Sequence, residues 1–420
     1  MKKIFFMIIL LLLTTMVNSF AIDNLECNSS ILVDAESGKV LYSKYPDRIK
    51  YPASLTKLMT AVIAVENGDL DDVYTVDDET PFTIDGSHIA LEPGEKLTLE
   101  ELLHALLIPS ANDAAEVIAI NNAGSVESFV EKMNEKAAEL GMTNTNFVNP
   151  HGLHDDSHYT TASDLAKLAV YAYKNEVIRN IVKKKNYTIP ATNIKEDERL
   201  LNTTNRLFIG TGYGNQIIID GKYRDIKYDG ATGMKTGYTP QAGSTFIGSA
   251  ERDGLTLISV VLDGYITEVY SDTVKLLDYG FSNFEKIGLV ETNTYVDSTE
   301  VIGANVEKIP LVTEDSFSSV IEKNESSNIT SRITMDEITL PIKKDQCMGK
   351  YEFLLNDEVI GAVNLYTPIR IDEFAPINTR AIVVKTILSV FLAIAGLILL
   401  LRLYFTIRVW SVRKNKKLKL

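Results

Sequence analysis

Two long apolar runs stand near the ends of this chain, with a patterned middle between them. Residues 1–21 combine a basic start at Lys2 and Lys3 with an apolar stretch that closes on Ser19 and Ala21. Small residues at those two positions after such a run predict a secretory signal peptide. The second run, residues 381–401, covers a hydrocarbon core of roughly 30 Å at ~1.5 Å per residue, so it predicts a transmembrane helix. Lys385 lies near one end, where its side chain can snorkel outward. Residues 402–420 carry seven lysines and arginines and no acid. Such a flank stays in the cytoplasm, which puts the bulk of the chain on the other side.

The middle changes period several times. Residues 31–44 read as two strands joined at Glu36-Ser37-Gly38. A buried helix is expected from about Pro52 to Gly68, where glycine ends it. Helices follow over 97–123, interrupted at "IPSAND", and over 126–140 and 162–174. Residues 243–262 read as a strand, a turn at Asp253-Gly254 and a second strand, and 269–280 as a last helix. Strands at both ends of a helical middle predict a sheet with helices packed on it. After about residue 285 the runs become short and β-branched, with Asp and Asn-Asp turns, which predicts a small all-β domain joined through Pro376 to the membrane helix. The expected organisation is therefore 1–21 signal, 22–284 main domain, 285–372 β-rich domain, 381–401 membrane helix and 402–420 tail.

Composition narrows this picture. The chain has 420 residues, enough for two or three domains, and its 45% hydrophobic and 23% charged content excludes a disordered chain. The formal charge is −14; without the seven tail cations, Lys2 and Lys3, the exported part carries −23. Such acidity argues against nucleic acid as a partner. Two cysteines, Cys27 and Cys347, make no disulfide framework. Cys27 follows the signal segment, but "NLEC" lacks the small residue expected before a lipidated cysteine.

Lys57 is the first chemical oddity. It stands in "YPASLTKLMTA", inside an expected buried helix and three residues after Ser54. Residues three apart share a helical face. A serine hydroxyl needs a base to become a nucleophile, and a lysine kept neutral by burial or by a neighbouring cation is such a base. Ser-x-x-Lys alone is weak, since about one or two occur by chance in this length. The chain adds Ser110-x-Asn112 in a loop that opens a helix, and Lys235-Thr236-Gly237 at a strand. The last triplet is expected by chance only ~0.1 times. The three motifs in this order are those of penicillin-binding proteins and serine β-lactamases.

Over residues 28–284 the chain resembles the D-alanyl-D-alanine carboxypeptidase family, the low-molecular-mass penicillin-binding proteins. The resemblance lies in "PASLTKLMTA", "LEPGEKLTLEELLHALLIPSANDAA", "FVNPHGLHDDSHYTTASDLAKLA", "NTTNRL" and "DGATGMKTGYTPQAG". It implies an α/β penicillin-recognising, β-lactamase-like domain, an antiparallel sheet between helical layers, with a small all-β C-terminal domain. It implies that Ser54 attacks the D-Ala-D-Ala peptide bond, Lys57 is the base, and Ser110 relays a proton to the leaving D-alanine while Asn112 binds the peptide. Lys235 would help keep Lys57 neutral and anchor substrate. Thr236, aided by Arg206, would bind the terminal carboxylate. The N–H groups of Ser54 and Tyr238 would form the oxyanion hole, and Gly237 would let a substrate strand approach. The partners so implied are the peptidoglycan stem peptide and β-lactams as covalent inhibitors, with no metal and no cofactor. Ala111 departs from the family's more frequent glycine, and 208–228 is longer than usual.

Three other features compete. "ERLLN", from Glu198, matches the Glu-x-x-Leu-Asn motif of class A β-lactamases, but it runs directly into "NTTNRL". "HGLHDDSHY" gathers His151, His154 and His158 with two aspartates, yet its flanks are those of a family that uses no metal; His151 is expected near the floor of the site. The aromatic, basic tail needs only interfacial anchoring. A membrane-bound β-lactamase and a penicillin sensor are the alternatives to a carboxypeptidase; 19 residues beyond Leu401 are too few to fold an intracellular effector.

Overall fold

A computed structural model describes residues 22, 24–374 and 379–417, with the side chains of 414–417 excepted. The expected signal peptide and the linker at Pro376 lie outside the described residues. The described chain forms two compact units: residues up to Leu289 with Ser318–Thr330 and Leu355–Ile360, and Val290–Phe317 with Ser331–Leu354 and Gly361 onward.

The first unit is built on a five-stranded antiparallel sheet. Its strands are β1 (Ser29–Asp34), β2 (Val40–Lys44), β3 (Ala231–Thr239), β4 (Gly243–Arg252) and β5 (Leu255–Gly264), in the order β2-β1-β5-β4-β3. The first strand of the chain thus pairs with the last of the sheet, Ile31 opposite Val260. Both faces are covered, which explains the continuous apolar runs "ILV" and "LISVVL". Ile31, Val33, Ile258, Val260 and Leu262 enter one core, and Leu32, Leu257 and Val261 the other. The first core is shared with α1 (Lys57–Asn67), α2 (Leu99–Leu107), α3 (Asn112–Ala123), α4 (Val126–Glu139) and α5 (Ala162–Lys174). The second is shared with α6 (Ile266–Asn283). The sheet therefore lies between helical layers, as the resemblance implied.

Local chemistry sets several boundaries. Thr98 and Glu101 form a capping box at the start of α2, and Thr161 caps α5 through the Asp164 N–H. The helix expected from Pro52 differs in its first turn. Ala53–Thr56 is a 3₁₀ turn, and regular helix begins at Lys57. The long 208–228 stretch holds a hairpin, Gln216–Ile219 with Lys222–Asp225, whose Ile217 enters the α6 core. Asp278 of α6 receives Arg224 at 2.6 Å and the Tyr228 hydroxyl at 2.7 Å.

The second unit contains a five-stranded antiparallel sheet and a core of Ile309, Leu311, Ile342, Met348, Leu365 and Ile371. Among the described residues one helix, α7 (Thr379–Lys417), is long and apolar enough to cross a membrane. Both cysteines are free, Cys27 buried and Cys347 exposed.

Candidate active site

Lys57 is fully buried, so it is not a surface-facing lysine on a half-exposed helix. Leu58, Met59, Ala61, Val62, Ile63 and Ala64 are buried with it. Each large apolar side chain so placed stabilises by ~1.5–3 kcal/mol, enough to carry one costly lysine in the same helix. The 3₁₀ turn sets Ser54 at its second position, half-buried. Ala53 holds φ +50° to make this turn, an unfavourable conformation for a residue with a Cβ. The loop before α3 does the same at Ser110, with φ +71°.

The Lys57 amine lies 2.9 Å from Ser54 Oγ, 2.5 Å from Asn112 Oδ1 and 2.8 Å from the His151 carbonyl. Asn112 Nδ2 donates to the Asp85 carbonyl at 2.5 Å, so its oxygen end faces the lysine. Two of the three neighbours of the amine are pure acceptors. A neutral amine has two N–H bonds and one lone pair. In that form the acceptors would take both N–H bonds and leave the lone pair for the Ser54 hydroxyl. Burial, then the neighbouring Lys235, hold the amine well below the ordinary lysine range, with Asp113 opposing.

Lys235 is almost fully buried on β3, with its amine 2.8 Å from Ser110 Oγ and 2.9 Å from the Thr236 carbonyl. Burial lowers its pKa to about 7. The β3 strand is a sheet edge, and Gly237 is where it meets the Ser54 turn. A Cβ there would stand 2.4 Å from Thr245 Oγ1, 3.1 Å from the Ser54 nitrogen and 3.2 Å from the Pro52 carbonyl oxygen. Thr245 Oγ1 itself donates to that Pro52 carbonyl at 3.1 Å, pinning β4 to the turn. Thr236 Oγ1 pairs with Thr204 Oγ1 at 2.7 Å. Tyr238 is 66% exposed and lines an open cleft with Gln241, Tyr265 and Ile266.

Ser54, Lys57 and Asn112 are thus in direct contact, Lys235 touches Ser110, and Gly237 abuts the Ser54 turn. Arg206 is not brought into direct contact with them; its guanidinium reaches the Gly214 carbonyl at 3.5 Å. Glu198 is exposed, while its neighbour Arg199 pairs with buried Glu95. The three histidines go to separate partners: His158 to Thr56 at 2.8 Å, His154 edge-on to Tyr51, and His151 beneath Lys57. Asp85, Thr204 and Thr245 went unpredicted. Asp85 and His151 act through backbone carbonyls, which no side-chain pattern encodes. Thr245 was reachable, since a hairpin at 239–243 places it opposite Gly237.

The profile of the D-alanyl-D-alanine carboxypeptidase family matches residues 16–265, and that of the penicillin-binding protein 5 C-terminal domain matches 284–373. D-alanyl-D-alanine carboxypeptidase DacF of Bacillus subtilis is 34% identical over 342 residues, covering 80% of this chain and 83% of that protein. Penicillin binding protein 5 of Haemophilus influenzae superposes with a TM-score of 0.67 at 27% identity, over 83% of this chain and 98% of that one. A point mutant of the DD-transpeptidase from a Streptomyces strain gives a TM-score of 0.55 at 31% identity, over 62% of this chain and 99% of that one.

Proposed function

The chain belongs to the D-alanyl-D-alanine carboxypeptidase family of serine peptidases, and from that premise we propose that Ser54 is its nucleophile and Lys57 the base that activates it. The activity is that of a D-Ala-D-Ala carboxypeptidase on a penicillin-binding-protein fold, by way of an acyl-enzyme. The single observation that supports these residues is the Lys57 amine, buried and 2.9 Å from Ser54 Oγ, with two pure acceptors, Asn112 Oδ1 and the His151 carbonyl, as its other neighbours.

Ser54 Oγ attacks the carbonyl carbon of the D-Ala-D-Ala bond as its proton passes to Lys57. The resulting oxyanion is received by the N–H groups of Ser54 and Tyr238; a donor of this kind is worth ~2.7–4 kcal/mol. The C–N bond breaks, and the leaving amine takes the proton that Lys57 had received, relayed through the Ser110 hydroxyl, so that Lys57 is neutral again. D-Alanine departs, leaving an ester on Ser54. Water, deprotonated by the neutral Lys57, then attacks the ester carbonyl; the bond to Ser54 Oγ breaks, and Lys57 returns the proton to that oxygen. Lys235, Thr236 and Arg206 bind the terminal carboxylate, and Asn112 the peptide. β-Lactams acylate Ser54 because they mimic the same terminus.

The substrate in this reading is the peptidoglycan stem pentapeptide. The long apolar C-terminal helix fits a membrane anchor; with an exported chain, it would hold the catalytic unit outside the membrane, next to the wall.

The test is mass spectrometry of the protein with penicillin and, separately, with a peptide ending in D-Ala-D-Ala. The expected result is a lasting adduct on Ser54, release of one D-alanine, and neither in Ser54→Ala. Rapid penicillin turnover without an adduct would favour a β-lactamase. An adduct without D-alanine release would favour a sensor or a transpeptidase. Absence of any adduct would sink the assignment.

A further inference from the structure

Behind Lys57 lies a carboxylate that the reaction above does not use. Glu116 is on α3, four residues after Asn112, so the two side chains share one helical face. Its Oε2 is buried without a hydrogen-bond partner among the described residues and lies 3.5 Å from His151 Nε2. Buried acceptors are normally satisfied, so this oxygen needs an explanation. The His151 ring supplies one. The Leu153 N–H donates to His151 Nδ1 at 3.1 Å. That bond assigns the ring proton to Nε2, the nitrogen facing Glu116. The same residue's carbonyl takes an N–H of Lys57. The next residue, Gly152, is pressed against the Ser54 turn, where a Cβ would stand 1.9 Å from the Ala53 carbonyl oxygen. Residues His151 and Gly152 are therefore held between the nucleophile's turn on one side and Glu116 on the other.

We propose that Glu116 is a positioning residue for the general base: by accepting the His151 Nε2–H it fixes the ring, and through the ring the backbone carbonyl that binds Lys57. The inference rests on Lys57 being that base. The 3.5 Å separation is longer than a hydrogen bond. Catalytic contacts of this kind tighten in the working complex. The groups facing Glu116 are His151, Asp77 ahead of the Thr80–Thr83 turn, and Glu127 in the first turn of α4. Burial first, then these two acids, raise the Glu116 carboxyl to about 7. Burial, with Lys57 and His158 acting in the same direction, lowers His151 to about 3, so its ring stays neutral. The carboxyl is therefore anionic above about pH 7 and becomes a neutral, weaker acceptor as the pH falls through that value.

The experiment measures kcat and KM on a D-Ala-D-Ala peptide from pH 5 to 9, penicillin acylation of Ser54, and thermal unfolding. The proteins are the full chain, Glu116→Val and Glu116→Gln. Valine, which removes the acceptor, should lower kcat about tenfold at unchanged KM without lowering the unfolding temperature. Glutamine restores a neutral acceptor; it should recover most of kcat and remove the ionisation near pH 7 from the acid limb. Wild-type kcat in Glu116→Val overturns the proposal. So does a loss that tracks a lower unfolding temperature and leaves the shape of the pH profile unchanged. Intact Ser54 acylation with a silent Glu116→Val removes the positioning role alone, whereas failure of Ser54 acylation in the wild type removes the role of Lys57 and this inference with it.

Discussion

Gly237→Ala adds one methyl group where β3 meets the Ser54 turn, and its consequences follow from the distances there. The new carbon would start 2.4 Å from Thr245 Oγ1. Reaching even 3.0 Å requires a displacement of about 0.6 Å, an overpacking cost of about 1–3 kcal/mol. Thr245 is 2% exposed and held by its bond to Pro52, so it has little room to retreat. The alternative is for β3 to slide off the turn, against further close contacts at the Ser54 nitrogen and the Pro52 carbonyl. Either movement separates Ser54 from the Tyr238 N–H, the two donors assigned to the oxyanion. A misplacement approaching 1 Å costs up to about 100-fold in rate, so a loss on the order of 10- to 100-fold in penicillin acylation is expected.

The assay is the second-order rate of labelling by a fluorescent penicillin, with unfolding temperatures measured in parallel. A double-mutant cycle identifies the cause. Thr245→Ala removes the clashing oxygen and should restore most of the rate to Gly237→Ala. Thr245→Val keeps a γ atom in that place and should not. Labelling of Gly237→Ala within about twofold of wild type, or a loss that Thr245→Ala fails to relieve, would refute the steric argument.

Three further predictions concern charge. Asn112→Asp puts an anion against Lys57 and removes the donor to the Asp85 carbonyl; it should protonate the base and cut acylation about 100-fold at pH 7, with partial recovery as the pH is raised. A recovery-free loss would mean that geometry, not protonation, is at stake. Lys235 loses its proton at about 7 in the fold and at 10.5 in the unfolded chain. Between those values the unfolded chain holds the extra proton, so stability rises with pH, and this contribution is lost as the pH falls through about 7. Denaturant unfolding at pH 7 and pH 9 should show the rise, and Lys235→Met should flatten it; an equal rise in the variant would assign it elsewhere. In the same window KM for a free-carboxylate peptide should increase as the Lys235 charge disappears.

How far the chain could be read depended on whether a side chain carried the information. Helix 162–174 is expected and found with those bounds because its apolar face is regular and Thr161 caps it. The 243–262 hairpin is legible from Asp253-Gly254 and its β-branched flanks. The first turn of the Ser54 helix is not: it is 3₁₀, with Ala53 at φ +50° and the backbone of Gly152 packed against the Ala53 carbonyl, and no local pattern encodes that contact. Nor are the acceptors at Asp85 and His151, which are backbone atoms of loops with no pattern of their own. Yet the proposed role of Lys57 leans on those two carbonyls. A lysine three residues after a serine can be a surface charge, an ion-pair partner or a base. Burial excludes the first, and no carboxylate lies within ion-pair range of the Lys57 amine among the described residues. For the proposed base, the favourable arrangement is that Asp85 turns the Asn112 oxygen toward the amine and His151 offers a second oxygen beside it. The sequence singles out the lysine; the acceptors that surround its amine are a property of the fold.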